Sequence, residues 1–404
     1  MKQKKVLAIV IAIVMALSLG LAACSSPAPA PAPEPAAPAP APAPAPVDDG
    51  TKHIGFYADA ADSYYSIMME AFVGMAASDP DTEWVTDYRA GQSTADEQLR
   101  AVEDYITAGY DAIIVIQNNP GTTSECITKA NDADIPYFGA AHFFGDIPNS
   151  SGATGSVNYD FVLGGKLAGQ DALANGVSQL VMIEGVLGQG SASAQSLGFL
   201  LAYEEAGMSF GEKADGTPWT AEGIATEKPS VGDINGSPDI TVVSWNSGGW
   251  MTEPAMEAML GAIVSLGAGG WDGAYVQNNP MMEGAINAMA DQGLSTDDYW
   301  LGSMNGREIS WDWAEAGVIS MDVNQSAAME GALLYQMVKE YFDTGSVSKK
   351  HVHPYLTGYT SETIGSLRGS LVPVTDIANF LASVENDSIV WRIDDPKFLP
   401  IQGY

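Results

Sequence analysis

From residue 52 onward, short apolar runs alternate with helical patterns, and this alternation restricts the fold more than any other feature of the chain. The runs, at 54–58, 84–88, 112–116, 136–139, 154–157, 180–184, 240–244, 274–277, 300–302 and 318–322, have the length and composition of strands. Between them Leu99, Val102 and Ile106 recur at helical spacing, as do Leu333, Met337 and Tyr341, so each set forms one buried stripe. Strands alternating with helices imply parallel sheets covered on both faces, and ten such runs imply two doubly wound domains of α/β class. A hydrophobic content of 46% supplies the cores and excludes wholesale disorder.

The two halves echo each other. Asp-Ala-Ile-Ile-Val-Ile-Gln-Asn-Asn-Pro at 111–120 returns as Asp-Gly-Ala-Tyr-Val-Gln-Asn-Asn-Pro at 272–280, each time a buried strand leading into a helix. Asn caps helices and Pro suits their first turn, so the echo is either a repeated cap or a repeated functional loop.

In open parallel sheets ligands sit beyond the carboxyl ends of the strands. The residues just after the runs share a character: Asp59, Asp62, Tyr64, Tyr65, Gln117, Asn118, Asn119 and His142 in the first half. Gln189, Ser191, Trp245, Trp250, Gln277, Asn278, Asn279, Asn305 and Gln325 follow in the second. Aromatic faces and neutral amides dominate, a chemistry that fits a neutral, hydroxyl-rich ligand. The adjacent Tyr64 and Tyr65 point in two directions, so at least one faces the site, and Trp250 lies in a Gly-rich loop where core burial is unnatural.

Charge narrows the partners. With 17 basic against 50 acidic residues the formal charge is −33, which repels polyanions and excludes nucleic acid. Only Cys24 and Cys126 are present, so no disulfide framework is available, and Cys126 reads as a core residue on a helix.

The amino terminus carries Lys2, Lys4 and Lys5, an apolar run from 6 to 17, and then Leu21-Ala22-Ala23-Cys24. That is an export signal. A membrane span is the rival reading, but Ser18 and Gly20 dilute the end it would need. Leu-Ala-Ala-Cys resembles the bacterial lipobox, which implies that residues 1–23 are removed and Cys24 becomes an acylated anchor in the bilayer. Residues 27–46 are Pro and Ala throughout except Glu34, an extended tether of roughly 60 Å at about 3.1 Å per residue.

Other motifs carry no chemistry. In Gly188-Gln189-Gly190-Ser191-Ala192-Ser193 a serine replaces the third glycine of a dinucleotide fingerprint, which leaves a loose turn. Asp233, Asn235, Ser237 and Asp239 alternate like calcium ligands, but the glycine falls at the wrong place and Ser244 stands where a bidentate Glu belongs. His351 and His353 lack further ligands nearby and read as a surface pair. No metal, no cofactor and no nucleophile elbow is expected.

The ordered pieces from about 52 to 355 resemble the ribose-type periplasmic binding proteins of sugar ABC transporters. The anchors are His53-Ile54-Gly55-Phe56-Tyr57 with Tyr64-Tyr65, the helix-strand unit 97–116, Ala133-Asp134-Ile135-Pro136 and the stretch 160–166. Gln277-Asn278-Asn279, Asn305-Gly306 and Gln325 before Gly331 complete them. The resemblance implies two doubly wound lobes flanking a cleft, joined by three crossings near 156–158, 323–325 and 354–356. It divides the chain into the signal 1–23, a tether 24–50 starting at Cys24, a first lobe of 52–156 plus about 325–354, and a second lobe of 157–324 plus about 355–404. By position it implies ligand contacts at Asp62, Tyr64, Tyr65, Asn118, His142, Trp250, Asn278, Met304, Asn305 and Gln325.

This chain departs from the family where Ala141-His142 replaces an Asp-Arg pair, where Ser193 and Gln195 replace arginines, and where Asn305 replaces an Asp. The stretch 210–239 and the tail from Tyr355 exceed the usual pattern, so unfamiliar segments are expected at the cleft. The resulting expectation is a solute-binding component of an ABC importer, capturing a neutral carbohydrate-like molecule by lobe closure and presenting it to permease subunits. It is expected to be lipid-anchored on the outer face of the cytoplasmic membrane, or to face a periplasm if an outer membrane is present. A sensor presenting its ligand state to a membrane receptor is the alternative. An enzyme on this scaffold would need a clustered acid-base pair, and Asp59, Asp62 and His142 are the only titratable candidates.

Overall fold

The computed structural model describes residues 50–92, 94–117, 120–143 and 150–400. The residues expected to form a signal and a tether, with Cys24, Asn118 and Asn119, lie outside the described residues. Among those described, one sheet of seven strands and one of six carry the fold. The first contains β1 (Thr51–Ala58), β2 (Glu83–Ala90), β3 (Ala112–Ile116), β4 (Tyr137–Ala140) and β5 (Gly155–Val157). The second contains β6 (Gln179–Glu184), β7 (Thr241–Ser247), β8 (Gly273–Val276), β9 (Trp300–Ser303) and β10 (Met321–Asn324). These ten strands pair in parallel within their sheets, as their helical crossovers require.

Three further strands close the edges. β11 (His351–His353) runs parallel to β5, β12 (Thr357–Thr360) pairs antiparallel with β10, and β13 (Leu399–Pro400) pairs antiparallel with β11. The orders are β13-β11-β5-β4-β3-β1-β2 and β12-β10-β9-β8-β6-β7. β10 begins later than the apolar run at 318–322 suggests. Gly317 takes a positive φ of 71° and Val318 N donates to Trp313 O at 2.8 Å, so Val318 finishes the preceding helix.

The chain passes from the first sheet to the second between β5 and the helix Phe161–Ala174. It returns between β10 and the helix Ala327–Thr344, and passes again between β11 and β12. The crossings are tied together. Tyr159 Oη accepts from Ser326 N at 2.9 Å, and His353 Nδ1 shares a 2.6 Å hydrogen bond with Asn158 O.

Two expectations need correction. The tail does not stay with the second lobe. Ile364 and Leu371 pack in the second core, but Val372, Phe380, Val384 and Phe398 join the first, with β13 on the first sheet's edge. The physical reason is the open edge of β11 and the apolar flank of the helix Ser63–Ala77, both of which the tail covers. A fourth crossing results, alongside the second: Asn324 clasps Val372 through both amide atoms, Nδ2 to O at 3.0 Å and Oδ1 from N at 2.9 Å. Likewise His351 and His353 are not a surface pair but a strand inside the first sheet. His351 is buried, bonded to Ser156 Oγ at 2.8 Å and stacked on Phe143.

Candidate ligand-binding site

A cavity of about 340 Å³ lies between the lobes at the carboxyl ends of the strands. From the first lobe it is lined by Asp62, Tyr64 and Tyr65, where the helix Ser63–Ala77 starts, and by Ala141 and His142 beyond β4. Asp62 caps that helix, its Oδ1 accepting from Tyr64 N at 2.6 Å, so the cap itself aims the tyrosine pair. The two rings stand edge to face, 6.2 Å apart at 88°, which sends them in different directions over the cavity.

The second lobe contributes Phe161, Ser191, Gln195, Trp250, Asn278, Asn305 and Arg307. Gln325, on the second crossing, and Val374, on the tail, also line the cavity. Three non-glycine residues of this lining hold positive φ: Ala141 at 55°, Trp250 at 63° and Asn305 at 104°. Such backbone persists only where surroundings enforce it, and here it is concentrated around one cavity. At Trp250 the enforcement is visible: Asn278 Nδ2 donates to Trp250 O at 3.1 Å, and Trp250 Nε1 donates to Gln189 Oε1 at 2.5 Å.

The internal echo proves to be a brace. Gln277 Oε1 accepts from Gly185 N at 2.9 Å while its Nε2 donates to Ala192 O and Ser196 Oγ, locking the ends of β6 and β8 beneath the cavity. Gln117 does the corresponding work in the first lobe, donating to His142 O. Asn278 caps the next helix through Met281 N at 2.8 Å, and Asn279 is buried against Asp322. Gln117, Gln277 and Asn279 therefore hold the site loops without lining the cavity.

Other candidates separate the same way. Trp245 donates to the buried Glu184 at 2.6 Å and does not line the cavity. Met304 does not line it either: it is fully buried in the second lobe's core, and it packs so closely on Gly164 that a Cβ there would lie 2.6 Å from its Cε. The position that the resemblance gave to Met304 as a ligand contact is thus a core position. Gly188-Gln189-Gly190-Ser191 is no loose turn but the entry to the helix Gly190–Glu205, which places Ser191 on the cavity wall. The stretch 210–239 packs into the second lobe's core through Phe210, Trp219 and Ile224 and contributes nothing to the lining.

Arg307 and Gln195 are lining residues that the strand-end rule did not select. Arg307 follows the Asn305-Gly306 turn, whose positive φ values carry the chain round to the cavity, so that turn was the available signal. Its guanidinium makes no ion pair or hydrogen bond among the described residues, while Asp62 supplies one opposite charge to the same cavity.

Electrostatics around the tyrosine pair are set by burial. Burial pushes the Asp59 carboxyl up to about 7 and the Glu330 carboxyl up to about 8. Burial also drives the His142 imidazole down to about 4, so it is neutral, sharing a 2.7 Å hydrogen bond from Nε2 to Tyr65 Oη. His142 Nδ1 and Ser191 Oγ are buried without a partner, one in each lobe, and both residues line the cavity. Among the described residues no cluster of His, Cys, Asp and Glu could hold a metal.

Comparison with known proteins places this geometry. The periplasmic binding protein domain family matches residues 54–346. The galactofuranose-binding protein YtfQ of Escherichia coli K12 is 24% identical over 279 residues, covering 68% of this chain and 77% of its own. The crystal structure of a galactofuranose binding protein superposes with a TM-score of 0.64 at 20% identity, over 83% of this chain and 99% of that one. An ABC transporter solute binding protein from Bacillus halodurans C-125 with bound myo-inositol gives 0.64 at 21%, over 79% and 98%. These likenesses match the two-lobed fold described above.

Proposed function

The chain belongs to the periplasmic binding protein domain family, whose members are solute-binding proteins rather than enzymes, and from that premise we propose that it captures a neutral sugar or cyclic polyol for an ABC importer. The observation that carries this reading is the lining itself: a tyrosine pair from one lobe, Trp250 from the other, and amides between them, with Asp62 and Arg307 supplying one charge of each sign. Aromatic faces suit the C–H faces of a sugar ring, and amides both donate to and accept from hydroxyls. The relatives bear on ligand class, one named for galactofuranose and one holding myo-inositol.

Capture works by bridging. A ligand touching Tyr64 and Trp250 together gains contact in the closed arrangement that it lacks in the open one, so it shifts the lobes toward closure. The closed body is what permease subunits would receive. Acylation of Cys24 after removal of residues 1–23 would hold it on the outer face of the cytoplasmic membrane, or facing a periplasm where an outer membrane exists, with residues 27–46 as tether.

A thermal-shift screen with galactofuranose, myo-inositol, common pyranoses, nucleosides and charged sugar acids tests the ligand class. A ligand at 100 times its dissociation constant stabilises by about 2.7 kcal/mol. Neutral sugars or polyols should give the shift, and Trp250→Ala, at about 2 kcal/mol or more in affinity, should cut it to about a third or less. A shift given only by nucleosides or sugar acids overturns the proposal.

A further inference from the structure

We propose that Glu330, which does not line the cavity, is a positioning residue that sets the hydrogen-bond polarity of the ligand site through Tyr64. This rests on the sugar-binding reading above for its consequence, but not for its geometry.

Glu330 lies in the first turn of the helix Ala327–Thr344 and is fully buried. Its neighbourhood is the apolar core of the first lobe. The titratable groups facing it are Tyr64, Tyr65 and Tyr159, all held protonated by burial, and no cation pairs with it among the described residues. A buried carboxyl without a cation is a poor stabiliser, and an apolar group of similar length in its place is commonly neutral or favourable. Stability therefore does not explain it.

Its bond to Tyr64 does. Tyr64 Oη donates to Glu330 Oε2 at 2.5 Å and accepts from Gln325 Nε2 at 2.9 Å, while Gln325 Oε1 accepts from Asn305 Nδ2 at 3.3 Å. A tyrosine hydroxyl has a single proton. With that proton committed to Glu330, the oxygen can only accept, which fixes the Gln325 amide with its NH₂ toward Tyr64 and its oxygen toward Asn305. The order runs from the first lobe, through the second crossing, into the second lobe, and Tyr64, Gln325 and Asn305 all line the cavity. Oε2 accepts from Tyr64 whether or not Oε1 carries a proton. Without Glu330 the Tyr64 proton can turn to Gln325, the amide can flip, and the site no longer presents one set of donors and acceptors.

Two measurements test this. In ligand-free protein labelled with ¹⁵N at glutamine, the Gln325 side-chain amide should keep two distinct, exchange-protected resonances in wild type and Glu330→Gln, and lose that protection in Glu330→Met. Calorimetry then follows with the tightest binder among galactofuranose and myo-inositol. Glu330→Met should melt no lower than wild type yet bind about tenfold more weakly, a typical magnitude for coupling between neighbouring groups. Glu330→Gln, whose amide oxygen still accepts from Tyr64, should recover most of that loss. In a Tyr64→Phe background, Glu330→Met should add no further loss. An unchanged Gln325 amide in Glu330→Met overturns the inference, as does an equal loss with and without the Tyr64 hydroxyl. If neither sugar binds wild type, the functional reading fails, and the amide spectra still decide the role of Glu330.

Discussion

A methyl group added at Gly185 tests whether the Trp250 indole is part of the binding surface without removing any atom of it. Gly185 follows β6, its N held by Gln277 and its O accepting from Gly249 N at 3.0 Å. A Cβ there would stand 2.5 Å from Trp250 Cδ2 and nearer still to Cε2 and Cζ2. Carbons meet at about 3.5 Å or more, so the ring must move by roughly 1 Å. It cannot move freely: its backbone is pinned at φ 63° by Asn278, and Nε1 is bonded to Gln189. The ring must push into the cavity or break that bond. Overpacking of this kind costs about 1–3 kcal/mol, roughly ten- to a hundredfold in affinity where the strain is released into the site. Calorimetry on Gly185→Ala should show this loss, beside a melting temperature that registers any effect on folding. Trp250→Ala should cost about 2 kcal/mol or more in affinity, as truncation of a desolvated aromatic anchor does. With the ring gone, Gly185→Ala should add nothing. A folded Gly185→Ala protein with unchanged affinity, or a full extra loss in the double variant, would refute the reasoning.

Other outcomes follow from the buried carboxyls, the charge and the anchor. The Glu330 carboxyl is raised from an ordinary 4.5 to about 8, so the native protein keeps a proton that the unfolded chain releases first. Its contribution to stability is complete below about pH 4.5 and is lost as pH rises through about 8, on the order of 5 kcal/mol across that window at about 1.4 kcal/mol per unit. Asp59 acts in the same sense up to about 7. Denaturant unfolding at pH 5 and pH 9 should show the fall, and Glu330→Gln should remove much of it; parallel curves would exclude Glu330 as the source. Affinity for a neutral ligand should change less than tenfold between low and physiological ionic strength, because no net charge pairing is screened. Cys24→Ser should move the protein from membrane to soluble fractions, and an unmodified Cys24 in an uncleaved chain by mass spectrometry would contradict acylation.

What could be read from the chain was what local pattern encodes. Run length and composition place β1 to β9: inner strands such as β3 and β8 are buried on both faces and so apolar throughout, while the edge strands β2 and β7 mix apolar with polar residues. The rule that ligands collect at strand ends then gathers Asp62, Tyr64, Tyr65, His142, Trp250, Asn278, Asn305 and Gln325 around one cavity. Asn118 lies outside the described residues. The rest depended on direction and on partners distant in sequence. Asn278 and Gln277 are neighbours of the same chemistry, yet only the first lines the cavity: Asn278 caps the next helix and holds Trp250 O, while Gln277 is turned inward as a brace on Gly185 N, Ala192 O and Ser196 Oγ. Met304 and Asn305 divide likewise into core and lining.

The tail shows the same limit at larger scale. Its short β13 and the helix Ile377–Glu385 return to the first lobe because β11 offers an unpaired edge there, and no local pattern in residues 355–404 reports which edge lies open. Glu330 looks in sequence like a solvated residue opening a helix. Only the fold, by laying Tyr64 against it across 266 positions, turns it into a buried acceptor. Sequence by itself determined the alternation, the charge and the strand ends, since each depends on composition or on neighbours along the chain. Tertiary structure decided which of those residues face the cavity and which hold the others in place, because that depends on neighbours in space.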